Sequence, residues 1–445
     1  MVEAYQQLGA EGYLTPVPRS GTRVADRAAH GTAADMMPLA GEAGIEQPSR
    51  VPVSWDLRPG LADARNFPRR EWTASLHKAV QDAVPSHLDY PPPSGIYELR
   101  EVLAAYLGRV RAVHTLPEHI MITAGLAQGL SVVCQTLLDQ GHTSLAIEDP
   151  GHPSERRFVE GVGLGAVPIP VDGEGMDIAA LEASGVRAVM LTPAHQFPTG
   201  VVLSSSRRAA LIAWARRVGG VIIEDDYDGE FWFDGPGRPP SLQSLAPDCV
   251  VYGSSVSKTL APGLRLGWLA IPGSLMAAVE STRVHRDLGI STICQIAYAH
   301  FIEVGRLDRH LLHMNKRYRQ HRTALVSALR AESPGVEVVG RSAGLHCLLR
   351  LPRDTDEHHV VDAAARHGVA VRGASCCYYE APPPAGGLVI GYANHHPDSL
   401  ASAARALAAA IAEGNGGARG MVKNRPTRET VPVAEGTGTT TRGPD

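Results

Sequence analysis

The run Val250-Val251-Tyr252-Gly253-Ser254-Ser255-Val256-Ser257-Lys258-Thr259-Leu260-Ala261-Pro262-Gly263-Leu264-Arg265-Leu266-Gly267-Trp268 decides the fold. Its apolar, strand-type start ends in small hydroxyl residues, then one lysine and, seven positions on, an arginine. Chemically this is an amine suited to a Schiff base, with hydroxyls and a guanidinium placed around an anion. A lysine in that role must spend part of its time unprotonated, which desolvation and neighbouring cations favour. Short strings of this kind also arise by accident, so the flanking chain has to agree.

Outward from this run, strands and helices alternate. Strands are expected at residues 119–123, 144–147, 186–191, 220–223, 249–252 and 267–271, with another after the Gly161–Ala166 string. Helices between them centre near 154–160, 178–183 and 207–217. Repeated units of this type argue for an α/β fold: a mostly parallel sheet of seven-stranded type with helices on both faces. Before them, Leu88-Asp89-Tyr90-Pro91-Pro92-Pro93-Ser94-Gly95 is a rigid loop leading into an amphipathic helix with the stripe Leu99, Val102, Leu103, Tyr106, Leu107 and Val110. After Met276 the chain is mainly helical to about residue 330. Strands within 336–351, 369–372 and 388–392 then surround a helix at 358–366, a second and smaller α+β domain.

The two ends read differently. Residues 2–14 carry apolar side chains at helical spacing with Gly12 as a stop, and residues 17–25 follow as a turn and short strand. A helix and hairpin this short cannot bury a core of their own. Residues 26–50, rich in Ala, Gly and Pro, are read as a linker. A final helix at about 399–411 is expected to stop at Glu413-Gly414-Asn415-Gly416-Gly417, and residues 413–445 are read as a disordered tail.

Composition bounds the function. The chain has 445 residues, 44% hydrophobic and 20% charged, with a net charge of −4, so no sequence-wide basicity argues for nucleic acid. The six cysteines lack any CxxC pairing, and Cys376 and Cys377 are adjacent; this usage suits thiols in a reducing cytoplasm. No uncharged apolar run approaches a membrane span, and no signal peptide opens the chain.

Four further strand ends carry chemistry. Glu224-Asp225-Asp226-Tyr227-Asp228 places carboxylates where ligands of open α/β sheets bind. No histidine at ligand spacing accompanies them, which argues against a metal. Thr123-Ala124-Gly125-Leu126-Ala127-Gln128 joins a strand to a helix start, where backbone N–H groups and the positive helix end can cradle phosphate. Glu148-Asp149-Pro150-Gly151-His152-Pro153 and Thr192-Pro193-Ala194-His195-Gln196-Phe197-Pro198-Thr199-Gly200 end two more strands. Gly161-Val162-Gly163-Leu164-Gly165 imitates a dinucleotide loop but follows a helix and precedes a strand, the reverse of what that motif needs. His358-His359 and His395-His396 are read as solvated.

Residues 51–411 resemble the fold-type I, class I/II aminotransferases, which carry pyridoxal 5'-phosphate. The N-terminal helix and hairpin resemble the last helix and wing of the winged helix-turn-helix domain of the GntR superfamily. In that order the two are similar to MocR-type regulators, and the His-Gln-Phe-Pro string resembles that subgroup's version of the fourth motif. The resemblance implies that Lys258 holds the cofactor as an aldimine. Ser255, Ser257 and Arg265, with the main-chain N–H groups of Gly125, Leu126 and Ala127, would hold its phosphate. Asp225 would partner the ring nitrogen, with Asp226 and Glu224 as competitors one place away, and Tyr227 would reach the ring oxygen. His152 stands where relatives carry an aromatic ring over the cofactor. Phe197 stands where many carry an asparagine, so His195 or Gln196 would replace the missing amide. Tyr90 matches a tyrosine that reaches a neighbouring subunit's phosphate, which implies a homodimer with shared sites.

One position departs from the pattern. Val389, in Gly387-Leu388-Val389-Ile390-Gly391-Tyr392, occupies the place of the arginine that clamps a substrate carboxylate, and Arg372 is the nearest substitute. Losing such a charge-assisted fork costs about 1.5–3 kcal/mol. The implied organisation is a winged-helix remnant at 1–25, a linker at 26–50 and an aminotransferase-like region at 51–412. That region divides into a large domain at about 95–275 and a small domain from 51–90 and 276–412. The implied function is a regulator's effector region that senses an amine or amino-acid-like ligand through the aldimine. The expected chain start then lies inside the winged helix, and DNA is a partner only where a full winged helix is supplied upstream. The alternatives are a free-standing transaminase and a pyridoxal-phosphate lyase or racemase on the same fold. The resemblance implies a cytoplasmic protein without a membrane partner.

Overall fold

The computed structural model describes residues 2–25, 53–235, 237–353, 355–379 and 386–421. The chain divides into two compact units, residues 1–50 and 51–445. In the first, helix α1 (Val2–Ala10) ends at Gly12, whose φ of +79° only glycine adopts without strain. Strands β1 (Leu14–Val17) and β2 (Gly21–Val24) then pair antiparallel. None of residues 3–25 is buried, so these described residues form no core of their own. The expected linker at 26–50 lies outside the described residues.

The second unit opens with β3 (Trp55–Asp56), α2 (Arg69–Gln81) and α3 (Tyr97–Arg111). Of the expected stripe on α3, Leu99, Leu103, Tyr106 and Leu107 are fully buried. There follow β4 (Ile120–Thr123), α4 (Leu126–Asp139), β5 (Ser144–Asp149), α5 (Pro153–Gly161) and β6 (Gly165–Asp172). Next come β7 (Gly175–Met176), α6 (Ile178–Ala183), β8 (Ala188–Leu191), α7 (Ser205–Val218) and β9 (Val221–Asp225). Strands β10 (Val250–Ser255) and β11 (Gly267–Ala270) complete the sheet, whose order is β4-β11-β10-β9-β8-β5-β6-β7. The strands from β10 through β9, β8 and β5 to β6 are parallel. β11 runs antiparallel to both its neighbours, and the two-residue β7 closes the edge antiparallel to β6. The sheet therefore has eight strands. The seven expected ones are all present, and the extra edge strand is too short to show a period-2 pattern.

Pleating sends alternate residues to opposite faces. On β8, Ala188 and Met190 enter one core with Leu130, Val133 and Leu137 of α4, while Val189 and Leu191 enter the other with Leu211 and Trp214 of α7. Ile223 and Ile222 of β9 divide the same way. This double-sided burial is why these strands read as continuous apolar runs.

Beyond β11 come α8 (Gly273–Val284), α9 (Thr292–Glu303) and the 27-residue α10 (Arg306–Glu332). The last elements are β12 (Glu337–Val339), β13 (His346–Arg350), α11 (Glu357–Arg366), β14 (Val369–Ala370), β15 (Arg372–Gly373), β16 (Gly387–Gly391) and α12 (Pro397–Met421). Four of these strands form a second sheet in the order β12-β13-β16-β15, while β14 pairs parallel with β3. That pairing ties the residues near Trp55 to the C-terminal part. Helix α12 runs past the expected stop at Gly414 to Met421. Glycine lowers helix stability by about 1 kcal/mol per residue but does not by itself end a helix. The tail expected beyond it, residues 422–445, lies outside the described residues.

Candidate cofactor and ligand site

The C-terminal ends of β10, β9, β8 and β5 lie side by side, with that of β4 on the same edge beyond β11, and the loops leaving them enclose a cavity of about 270 Å³. Leu126, Ala127, His152, Thr192, Phe197, Asp225, Tyr227, Asp228 and Lys258 line it from the large sheet, and Pro59, Gly60, Leu345 and His346 from the other part of the unit. A larger cavity of about 570 Å³, bordered by Asp149, Glu357 and Tyr378, has no lysine on its walls. The amine chemistry belongs to the smaller one.

Lys258 follows β10 by three residues, and its Nζ donates to the Gly60 carbonyl at 2.6 Å. Burial lowers its pKa against the opposing pull of Asp228 and Asp225. Asp225 ends β9 in the same cavity. Burial, and then the charges of Asp226 and Asp228, push its pKa up to about 8, and its buried Oδ1 has no hydrogen-bond partner. The competing carboxylates are already engaged. Asp226 takes a two-point ion pair from buried Arg111 (2.5 and 3.0 Å) and a hydrogen bond from the Tyr252 hydroxyl at 2.7 Å. Glu224 accepts the backbone N–H groups of Leu242 and Gln243 at 2.9 and 3.0 Å.

The Gly125 turn sits under Arg265, whose Nη2 donates to the Ala124 carbonyl at 2.5 Å. Gly125 has φ +85°, and a Cβ there would lie 2.9 Å from the guanidinium, so only glycine leaves the space open. The first-turn N–H groups of α4 at Leu126 and Ala127 point to the same end, where the helix dipole favours an anion. Ser255 is buried at the end of β10, and its Oγ accepts the Ser257 N–H at 3.4 Å. These groups, together with the orphaned Asp225 Oδ1 and the amine, fit a ligand that carries a phosphate, a ring N–H and a carbonyl.

His152 caps α5, its Nδ1 accepting the Ser154 N–H at 3.2 Å, and its ring packs on Phe197 at 4.8 Å and 49°. Burial, then the charges of Arg372 and Lys258, lower its pKa to about 4, so it is a neutral ring at physiological pH. The Tyr227 hydroxyl donates to the His195 carbonyl at 2.9 Å.

The residues expected to replace the missing asparagine fare differently. Gln196 is withdrawn from the cavity: its Nε2 donates to the Pro150 and Phe197 carbonyls and its Oε1 accepts from Thr199. That corrects its expected cofactor role, because the amide is consumed in bracing its own turn. His195 lies behind the cavity wall, with Nδ1 on Asp228 at 3.0 Å and a buried Nε2 that has no partner.

Asp228 and His346 were not singled out in the sequence. His346 arrives because Gly344 N donates to Phe231 O at 2.7 Å and Phe233 N to Ser342 O at 2.9 Å, which docks the strand leading into β13 beside β9's loop. Gly344 has φ +64°, and any side chain there would collide with Asp228 and His195. His195, Asp228 and His346 thus gather two histidines and a carboxylate, all buried. The histidines come from distant strands, so local spacing gave no sign of them.

Tyr90 is 76% exposed and is not on the cavity wall. Val389 is fully buried with Phe197, Leu348, Ala374 and Cys377, and Arg372 pairs directly opposite it on β15. Arg372 is half-buried, and its charge acts on His152.

Residues 63–407 match the aminotransferase class I and II family. The chain belongs to that family, in its MocR-type regulator branch. It is 35% identical over 372 residues to the uncharacterized HTH-type transcriptional regulator YhdI of Bacillus subtilis, covering 83% of this chain and 78% of that one. It is 30% identical over 400 residues to the HTH-type pyridoxine biosynthesis transcriptional regulator PdxR of Corynebacterium glutamicum, covering 90% and 84%. Among solved structures, the α-aminoadipate aminotransferase LysN of Thermus thermophilus, complexed with N-(5'-phosphopyridoxyl)-L-leucine, superposes with a TM-score of 0.73 at 25% identity, covering 81% and 92%.

Proposed function

We propose that residues 51–412 bind pyridoxal 5'-phosphate and form the ligand-sensing region of a MocR-type transcriptional regulator in the cytoplasm, acting as a homodimer. The observation that carries this reading is the pairing, in one cavity, of a desolvated lysine amine with an aspartate whose buried Oδ1 has no partner. When bound, pyridoxal phosphate supplies an electron sink and a carbonyl that amines can attack. Lys258 Nζ would attach to that carbonyl carbon, and burial, by lowering the amine's pKa, favours the unprotonated form that this attachment needs. Asp225 Oδ1 receives the ring N–H, which keeps the proton on the nitrogen. The Gly125–Ala127 turn, Ser255, Ser257 and Arg265 bind the phosphate. Tyr227 orients the ring oxygen, with His195 and Asp228 fixing the phenol from behind, and His152 excludes water from the ring's outer face.

The sensed ligand is an amine or amino-acid-like compound that competes with Lys258 for the same carbon. With Val389 in place of a clamp, Arg372, paired opposite it on β15, is proposed to meet a ligand carboxylate. The relatives YhdI and PdxR are HTH-type transcriptional regulators, so DNA recognition is proposed for a form with a complete winged helix. The test is an absorbance titration of the loaded protein with a panel of amines and α-amino acids, with and without a 2-oxo acid. Sensing predicts a saturable spectral change with one chemical class and turnover slower than one per minute. Rapid, sustained amino transfer to the 2-oxo acid would make the protein a transaminase instead.

A further inference from the structure

The adjacent pair Cys376-Cys377 sits in a 3-10 turn (Ala374–Cys377) between β15 and the cavity loops, with its Sγ atoms 3.9 Å apart. Cys376 is exposed, while Cys377 is buried. Two contacts connect Cys377 to the cavity. Its carbonyl accepts the Gly151 N–H at 2.9 Å, immediately before His152. Its side chain packs in the small apolar cluster with Phe197 and Val389, and Phe197 in turn carries the His152 ring. Two residues further on, Tyr379 N donates to the Asp149 carboxylate at 2.7 Å, a third tie to the same loop.

We propose that Cys376 and Cys377 are a modification site: a hydroperoxide oxidises them to an intrachain disulfide, and this loosens the Gly151–His152 loop over the cavity. The Cys376 thiolate attacks the peroxide and becomes a sulfenic acid, and the peroxide's other oxygen leaves as water or alcohol. The Cys377 thiol then attacks that sulfur and expels the sulfenic oxygen as a second water, so two thiols lose two electrons and two protons to one hydroperoxide. Exposure makes Cys376 the attacking residue. The neighbouring Cys376 sulfur, and then burial, hold the Cys377 thiol well above the usual range, so Cys377 is not the first to attack; its Sγ, 3.9 Å from that of Cys376, is placed for the second, resolving step.

The coupling follows from geometry. Adjacent Cα atoms are about 3.8 Å apart across a trans peptide, nearer than the 4.4–6.8 Å usual for a disulfide. Closing the S–S bond therefore has to reorient the Cys376–Cys377 peptide out of the 3-10 turn. That movement turns the Cys377 carbonyl away from Gly151 and pulls its Sγ from the Phe197 cluster. The same crowding makes the bond easily reduced, so the change is reversible.

The experiment treats the full-length protein, without added cofactor, with hydrogen peroxide. Peptide mass mapping reads the bond, and amide hydrogen exchange reads the loop at residues 149–160. The expected result is a loss of two hydrogens confined to the 376–377 peptide, with exchange in 149–160 rising roughly tenfold. Dithiothreitol should reverse both, and Cys376→Ser should show neither. Sulfinic acid at Cys376, linkage to another cysteine, or an unchanged loop despite the bond would overturn the proposal. The same rise in Cys376→Ser would overturn it too. Neither readout depends on pyridoxal phosphate, so the cofactor reading and this one can fail separately.

Discussion

At the scale of the residue, three neighbouring carboxylates divide their work by what they touch. Asp226 neutralises buried Arg111 and Glu224 anchors a loop, which leaves Asp225 with an oxygen that nothing inside the chain satisfies. Asp226→Asn should therefore cost stability, about 3 kcal/mol in denaturant unfolding, because it strands a buried guanidinium. Asp225→Asn should leave folding intact yet lower affinity for pyridoxal phosphate at least tenfold by fluorescence titration. Equal losses of affinity in the two variants would mean the wrong carboxylate has been assigned. A pH effect follows from the same group. Its pKa in the folded, cofactor-free chain is raised to about 8, from an ordinary value of 3.8. Its stabilising contribution is thus present at low pH and lost between about pH 4 and 8, where the unfolded chain has released the proton and the folded chain has not. Against Asp225→Asn, the wild type should lose stability over that window, by at most about 1.4 kcal/mol per pH unit. Parallel stability curves for the two proteins would contradict this.

Among elements, the strand ends were legible because chemistry and period coincide there. Lys258, Asp225, Tyr227 and the Gly125 turn each close an apolar strand, and the structure brings all four to one wall or rim. What the sequence concealed came through the backbone or from afar. Gly60 meets Lys258 with a carbonyl, a group every residue has, and His346 is delivered by a docking of Phe231 and Phe233 against 342–344 that no local pattern announces. Gln196 misled because an amide in the right motif is read as facing outward, whereas here it closes its own turn. The Val389 position carries a further prediction. Its side chain is enclosed by Phe197, Leu348 and Cys377, with Arg372 directly across the ladder. Restoring an arginine by Val389→Arg should thus bury a charge opposite a like charge, at a cost of about 3 kcal/mol or more in thermal or chemical unfolding. A variant as stable as the wild type, with tighter amino-acid binding, would show that the slot is still open.

At the scale of the whole molecule, a doubly covered sheet supplies the site, while the described residues of the N-terminal unit form no core. Residues 3–25 bury no side chain. This chain should accordingly bind its own upstream DNA with a specificity ratio below ~10³, measured by competition at fixed salt. A higher ratio would show that the short helix and hairpin suffice. The functional reading of the cavity depends on the cofactor's attachment. The direct measurement is reduction of the pyridoxal-phosphate-loaded protein with borohydride, followed by peptide mapping by mass. The account predicts one phosphopyridoxyl group per chain, on Lys258, and none on Lys258→Ala. A label spread over surface lysines, or an equal yield from Lys258→Ala, would contradict it.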